Sequence, residues 1–187
     1  MNYAILDNNN FYAEGLRYLI QRDGEDNHII AGDIRWHRRL LTMDIIIVRC
    51  RFSLTAHQQT LLDILSSLCA CNWGGRLYLC CNAQSWALAS YMRKRYISLN
   101  IYLLDDGQSL QVTTLTLSKS LRTSGFHLPD LSLTDAEFTV LNLLTLGLPV
   151  RSVIETVRMT AKAVSQHKCN ALRKLNAPNL LRLLNLI

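Results

Sequence analysis

Residues 159–175 read MTAKAVSQHKCNALRKL, and this pattern predicts a single helix with two unlike faces. Thr160 is a suitable N-cap, because its hydroxyl can accept a hydrogen bond from a free amide of the first turn. The side expected to face a core carries apolar residues at helical spacing: Val164, Ala171, Leu172 and Leu175. The other side is polar and basic, so it can lie in a DNA major groove. An ordinary solvated amphipathic helix is the alternative interpretation.

The residues around this helix predict a small all-α domain. Thr134 and Glu137 have the spacing of a capping box, and Gly147 is placed to end the helix that they begin. That helix would bury Val140, Leu141 and Leu144. A second helix is predicted over 150–158, with Val153, Ile154 and Val157 inward, and a fourth over 179–187. The sequence therefore predicts a four-helix unit over 132–187 with a helix-turn-helix at its centre.

This unit resembles the LuxR-type DNA-binding domain, without a gap over more than 40 residues. The matching residues are Leu133-Thr134, Glu137, Val140-Leu141, Gly147, Val153-Ile154, Thr160, Ala163-Val164, His167, Asn170 and Lys174-Leu175. The departures are Ile154 for a small residue, Thr160 for serine and Ala163 for threonine. The run 164–168 is most similar to the enterobacterial regulators of capsule synthesis and their auxiliary partners, which implies a homodimer or a heterodimer with another response regulator.

The resemblance implies how the residues of the predicted recognition helix divide between bases and phosphates. Ser165, Gln166 and Cys169 match the positions that read bases in the family, and Gln166 can make a bidentate contact to adenine. The phosphate contacts are assigned to Thr160, Lys162, Lys168, Arg173 and Lys174. Residues 156–187 contain six lysines and arginines and no acid, which favours duplex DNA as the partner. His167 lies between the faces, where packing or capping is expected.

The last predicted helix has more leucine than one buried face requires. In the family this helix supports dimer contacts, which assigns Leu180, Leu183 and Leu184 to dimerisation. Packing onto the first helix of the same domain is the alternative, and the two roles are compatible. A dimer would place two recognition helices about one turn of DNA apart, roughly 34 Å.

The N-terminal part, residues 1–121, alternates predicted strands with predicted helices. This alternation predicts an α/β domain with a parallel five-stranded sheet flanked by helices. The strands are predicted over 2–6, 28–31, 44–48, 76–81 and 100–104, and helices over 11–21, 56–68 and 84–96. Residues 109–120 are ambiguous, because alternation favours a helix and VTTLT favours a strand. Residues 122–131, rich in Ser, Gly and Pro, are predicted to be the linker.

This part resembles the receiver domain of two-component response regulators, most specifically in DNNNFYAEGL at residues 7–16. The family's phosphorylation site does not carry over. Asp7 remains, but its neighbour is Asn8, and Arg49 occupies the position of the phosphate-accepting aspartate. The expected lysine after the last strand is Asp105, or Asp106 in the adjacent register, and the switch hydroxyl is replaced by Cys81 or Asn82.

These replacements predict a receiver-like domain that takes up no phosphate, because a guanidinium stays protonated and cannot act as a nucleophile. Two positions are open for Arg49: paired with Asp7 in the old pocket, or directed to solvent. The residues of the degenerate site are Asp7, Asn8, Arg49 and Asp105.

Composition limits the function classes further. The 187 residues carry a net charge of +6, and 49% are hydrophobic, which suits a globular chain with an anionic partner. We find no nucleophile–base motif, glycine-rich phosphate loop, signal peptide or membrane span, and the six cysteines lack zinc-type spacing. We therefore expect a cytoplasmic protein with reduced thiols, no cofactor or metal, and no enzymatic activity. A role of Cys80-Cys81 as a redox input is left open.

Two functions follow. The first is a sequence-specific DNA-binding transcriptional regulator that acts without aspartyl phosphorylation, as a homodimer or heterodimer. The second is an auxiliary interaction protein that redirects or titrates another response regulator through its receiver-like domain.

Overall fold

The structure, a computed structural model, describes residues 1–7, 9–23, 26–33, 38–50, 55–118 and 131–183. Asn8, Leu184 and residues 122–130 of the predicted linker lie outside the described residues. The fold class is the predicted one, a receiver-like α/β domain followed by an all-α domain.

The N-terminal domain is built on one parallel five-stranded sheet, in the order β2-β1-β3-β4-β5. The strands are β1 (Asn2–Leu6), β2 (His28–Gly32), β3 (Ile45–Cys50), β4 (Arg76–Cys81) and β5 (Asn100–Asp105). All five segments were predicted from the sequence. Because β1 lies between β2 and β3, the chain changes direction across the sheet there, and a crevice opens at the carboxyl ends of β1 and β3.

The sheet is covered by helices on both faces, which explains the apolar character of its central strand. Ile45, Ile46, Ile47 and Val48 of β3 are almost completely buried, as expected for a parallel strand covered on both sides. Arg49 is the one cation in this strand and lies near its carboxyl end.

The helices of this domain are α1 (Asn10–Asp23), α2 (Thr55–Ala70), α3 (Trp86–Arg95) and α4 (Leu110–Ser118), with a 3-10 helix at Arg38–Thr42. The ambiguous segment 109–120 is therefore helical over α4. Its threonines fit a helix because Thr113 and Thr116 donate their hydroxyls to the carbonyls of Ser109 and Val112, at 3.3 and 2.9 Å. The 3-10 helix was not predicted.

The C-terminal domain has the four predicted helices: α5 (Asp135–Thr145), α6 (Val150–Val157), α7 (Ala161–Lys174) and α8 (Leu180–Leu183). Both halves of the capping box at Thr134 are present, at 3.2 and 2.9 Å. Gly147 has a φ of +84°, the left-handed backbone that a glycine adopts after a helix end. Val140, Leu144, Val153 and Val164 form a core between α5, α6 and α7.

A second hydrophobic cluster is continuous across the two domains. It joins residues of α3, such as Ala87 and Tyr91, to Leu133, Phe138 and Leu141 of the C-terminal domain. Helix α3 therefore lies between the sheet and α5. None of the helices in the described part of the chain has both the length and the apolar character needed to cross a membrane.

Candidate nucleic-acid interface and receiver pocket

Helix α7 begins with the predicted cap. The Thr160 hydroxyl accepts a hydrogen bond from the amide of Ala163 at 3.2 Å, and Thr160 itself has extended backbone angles. The turn before it contains Arg158 in the left-handed conformation, with φ +53°, which ends α6 and lets the chain reverse into α7. The cap and this turn together fix where α7 starts.

The polar face of α7 is open. Ser165, Gln166 and Cys169 are all exposed, while Val164, Ala171 and Leu172 are buried on the opposite side. The cations Lys162 and Arg173 are exposed, and Lys168 is half-buried. The geometry therefore brings short polar groups between flanking cations on one accessible surface, as a groove-reading helix requires. His167 is half-buried between the two faces.

Lys174 lies elsewhere, although the sequence grouped it with the phosphate contacts. Its ammonium donates to the Ser132 carbonyl at 2.9 Å and to the Glu137 carboxylate at 2.7 Å. Burial alone would raise the pKa of Glu137, but the hydrogen bonds from Lys174 and Thr134 outweigh it and lower that pKa. Lys174 thus ties the end of α7 to the start of α5, and we leave it out of the proposed DNA contacts.

The leucines assigned to dimerisation also differ in placement. Leu183 is 5% exposed and belongs to the hydrophobic cluster of its own chain. Leu180 is half-buried against the same cluster, and Leu184 is outside the described residues. Leu183 therefore packs within its own chain, and its assignment to dimerisation stays a prediction.

The receiver pocket lies at the carboxyl ends of β1 and β3, where the strand order reverses. Arg49 extends into it, with Nη1 3.4 Å from Asp7 Oδ2 and Nη2 3.1 Å from Asp106 Oδ2. A further hydrogen bond joins Arg49 Nε to Asp106 Oδ2 at 3.3 Å. The Arg49 side chain is 13% exposed, so the structure places it in the pocket and not in solvent.

Of the two aspartates that the sequence left open, Asp106 is the one in the pocket. The carboxylate of Asp105 accepts the amide of Gly107 at 2.9 Å and caps the loop after β5. Asp7 is 5% exposed and accepts the amide of Asn9 at 2.9 Å. The pocket therefore holds one guanidinium between two carboxylates.

Tyr12 closes the pocket on the α1 side, a role that the sequence did not reveal. The Arg49 guanidinium lies 4.7 Å from the centroid of the Tyr12 ring, within cation–π range. The Tyr12 hydroxyl donates to Cys80 Sγ at 3.8 Å. Burial opposes the charge of Arg49, but the hydrogen bond to Asp106 and the charge of Asp7 outweigh it and raise the pKa of Arg49. Arg49 is therefore a fixed cation.

The thiols do not form a redox pair at Cys80-Cys81. The two side chains lie on opposite faces of the sheet, in separate hydrophobic clusters. Burial raises the pKa of the Cys80 thiol to about 12, with a smaller opposing effect of the hydrogen bond from Tyr12, and burial also raises the pKa of Cys81. Both thiols are protonated at neutral pH and unreactive. Within the described ranges no group of three His, Cys, Asp or Glu side chains is placed to hold a metal.

Comparison with known proteins identifies the C-terminal domain. Residues 131–187 match the family model "Bacterial regulatory proteins, luxR family". No significant match is found among curated protein sequences.

Solved structures with the same two-domain fold include RcsB response regulators. RcsB from Salmonella enterica serovar Typhimurium, bound to promoter rprA in the presence of a phosphomimetic, is 15% identical, with 99% of this chain and 96% of that chain covered and a TM-score of 0.53. A structure of two RcsB dimers bound to two parallel DNAs has the same identity and coverage and a TM-score of 0.50.

At 15% identity the RcsB structures show the fold alone, and the family model covers only the C-terminal domain. Residues 131–187 therefore match the luxR family, and the fold places a receiver-like α/β domain in front of that matched segment.

Proposed function

We propose that this regulator binds duplex DNA in a sequence-specific way through α7, acts without aspartyl phosphorylation, and functions as a dimer. The observation that carries the proposal is the exposed polar face of α7, with Ser165, Gln166 and Cys169 between the cations Lys162 and Arg173. The RcsB structures of similar fold are complexes with DNA, which supports this proposal.

The division of labour along α7 can be tested with two variants on a duplex selected from a random pool. Lys162→Ala removes a phosphate contact, so we expect weaker binding to selected and random duplexes alike and a salt slope smaller by about 1. Gln166→Ala is expected to cost about 1–3 kcal/mol of discrimination at one base pair. Arg17→Ala, an exposed cation of α1, is the control. Equal losses on both duplexes for both α7 variants would contradict the division.

Labelling of cysteine thiols with and without DNA tests the proposed DNA interface independently. Cys169 and Cys71 are both exposed, and Cys71 follows α2 in the receiver-like domain, outside the proposed interface. We expect a maleimide to label both thiols in the free protein. Bound duplex should protect Cys169 and leave Cys71 reactive, and unchanged labelling of Cys169 would show that the base-facing assignment is wrong.

Independence from phosphorylation is supported by the contents of the receiver pocket. Arg49 occupies the acceptor position, and its guanidinium is held by Asp7 and Asp106, which leaves these carboxylates paired with an internal cation. We expect no mass gain with a small phosphodonor and magnesium, and no change in DNA affinity. A stoichiometric phosphoryl adduct on this domain would exclude the proposal.

Because Leu183 is buried in its own chain, a dimer would need a contact surface elsewhere. Helix α1 exposes two aromatic side chains seven residues apart, Phe11 at 92% and Tyr18 at 66%, which places them on one face. We infer that this face meets either a second copy or another response regulator. In the double variant Phe11→Ser and Tyr18→Ser, we expect sedimentation to show a monomer bound to a two-site duplex in place of a dimer.

The same aromatic face supports the second candidate function, an interaction protein that redirects another regulator. Gel shifts with this chain alone, and then with a candidate partner, separate the two functions. Specific binding by the chain alone favours the DNA-binding regulator, and a shift only in the mixture favours the auxiliary role.

A further inference from the structure

Helix α3 is buried on more sides than a helix on the surface of an α/β domain requires. Such a helix normally buries one stripe against its sheet. In α3 all six consecutive residues from Ala87 to Met92 are buried, more than a full turn of helix. The face turned away from the sheet is covered by the C-terminal domain: Ala87 accepts the amide of Leu133 at 3.3 Å, and Tyr91 stacks on Phe138.

The contact is centred on Tyr91. Its ring stacks on Phe138 with centroids 4.5 Å apart and planes 22° from parallel, a distance at which aromatic pairs attract each other. Its hydroxyl donates to Asp135 Oδ1 at 2.9 Å and accepts from Arg95 Nη1 at 2.7 Å. Arg95 also approaches Asp135, at 3.8 Å. We call these four residues the clasp: Tyr91, Arg95, Asp135 and Phe138.

A second contact between the domains lies further along α5. Gln58 of α2, 2% exposed, reaches Asn142 Oδ1 with its Nε2 at 3.5 Å. Asn142 lies seven residues after Asp135, two turns further along the same helix. Two helices of the receiver-like domain therefore contact α5 at two separate points.

The clasp leaves the DNA-facing surface uncovered. Helix α5 is joined to the end of α7 by the pair Glu137–Lys174, so the orientation of α5 sets that of α7. With the clasp closed, Ser165, Gln166 and Cys169 are exposed. An inhibitory contact would bury these residues.

We propose that the clasp permanently holds the C-terminal domain in an orientation in which α7 is available to DNA, and that it does so without a phosphorylation step. The proposal rests on the proposed function, because it concerns how the same helix is presented. A fixed orientation would also set the distance between two recognition helices in a dimer.

The test uses the full chain with Tyr91→Ala, which changes no charge, and Tyr91→Phe, which keeps the ring and loses the hydroxyl. The matched control is Tyr102→Ala, because the Tyr102 ring stacks on Tyr78 within the receiver-like domain, with centroids 5.1 Å apart. Amide ¹⁵N relaxation gives the rotational correlation time of each domain, and fluorescence anisotropy gives the affinity for the selected duplex.

In the wild type and in Tyr102→Ala we expect one correlation time for both domains. In Tyr91→Ala we expect two shorter times and an affinity at least threefold weaker, and Tyr91→Phe, which remains folded, should fall between. Unchanged tumbling in both Tyr91 variants, or an affinity that rises more than threefold, would overturn the proposal. A wild type that binds no duplex would count against the proposed function, while the correlation times would still decide the clasp.

Discussion

In the pocket of this domain, the positive charge of Arg49 already pairs with the carboxylates that would otherwise bind a cation. Receiver domains, which this domain resembles, use acids at this place to hold magnesium. Here the guanidinium sits between Asp7 and Asp106 and under the ring of Tyr12. A buried ion pair of this kind is weak evidence for stability in itself, but the loss of one partner leaves the other charges uncompensated.

Arg49→Ala is therefore expected to lower the free energy of unfolding by about 3 kcal/mol, because two carboxylates would face each other without a cation. Millimolar Mg²⁺ should restore part of this loss in the variant and have little effect on the wild type. Urea unfolding with and without Mg²⁺ measures both effects.

The control for that experiment is Arg17→Ala, which breaks the exposed pair Arg17–Glu14. It should change the free energy of unfolding by less than about 1 kcal/mol, since exposed ion pairs contribute little. If Arg49→Ala lowered the free energy of unfolding no more than Arg17→Ala, the ion pairs of the pocket would not contribute to stability.

The Glu137–Lys174 pair predicts a dependence of stability on pH. The pKa of Glu137 is lowered in the folded protein, so its contribution is complete above the ordinary value of 4.5 and is lost as pH falls through the lowered pKa. Lys174→Met should reduce the free energy of unfolding by about 2–3 kcal/mol at pH 7, because a buried carboxylate loses its charged partner.

The difference between wild type and Lys174→Met should shrink when urea unfolding is repeated at falling pH, as the pH passes through the lowered pKa of Glu137. Arg151→Met is the control, because its pair with Glu155 is exposed and lies within α6. A difference that stayed constant from pH 7 to pH 3 would mean that Lys174 acts by packing and not by its charge.

At the scale of elements, the sequence predicted those helices and strands whose positions follow from hydrophobic periodicity and from capping residues. Thr134, Gly147 and Thr160 mark helix ends through their own chemistry, and all three do so in the structure. The 3-10 helix at Arg38–Thr42 and the helical state of α4 depend on tertiary packing and on side-chain hydrogen bonds of threonine, which no local pattern specifies.

The cap of α7 has two roles that substitutions can separate. Thr160→Ala removes the bond to the Ala163 amide and should cost about 1 kcal/mol of stability. Thr160→Asp keeps an oxygen acceptor and should retain stability, but it places an anion at the proposed phosphate-facing end of α7, so DNA affinity should fall.

Thr134→Ala is the matched control for the cap, since Thr134 caps α5 and lies outside the proposed interface. It should lose similar stability and keep its DNA affinity. Thermal unfolding and anisotropy measure the two quantities, and a Thr160→Asp variant with wild-type affinity would place this helix end away from the phosphates.

At the scale of the whole molecule, the packing of one domain against the other could not be predicted from the sequence. Tyr91 and Phe138 each fit the apolar pattern of their own helix, and Arg95 reads as part of the basic run 93–95. Only the packing of α3 against α5 brings them together. The partner of Arg49 was uncertain for the same reason, because a register shift of one residue after β5 exchanges Asp105 for Asp106.

Because α3 is buried by both domains, we expect the chain to unfold as one cooperative unit. All three tryptophans, Trp36, Trp73 and Trp86, lie in the first 121 residues, so fluorescence follows the receiver-like domain. Far-UV circular dichroism follows the helices of both domains. The two urea transitions should coincide in the wild type, as two-state unfolding requires, and separate in Tyr91→Ala, with Tyr102→Ala as the control. Separate transitions in the wild type would show that the contact between α3 and α5 is too weak to couple the domains, since each domain would then unfold at its own midpoint.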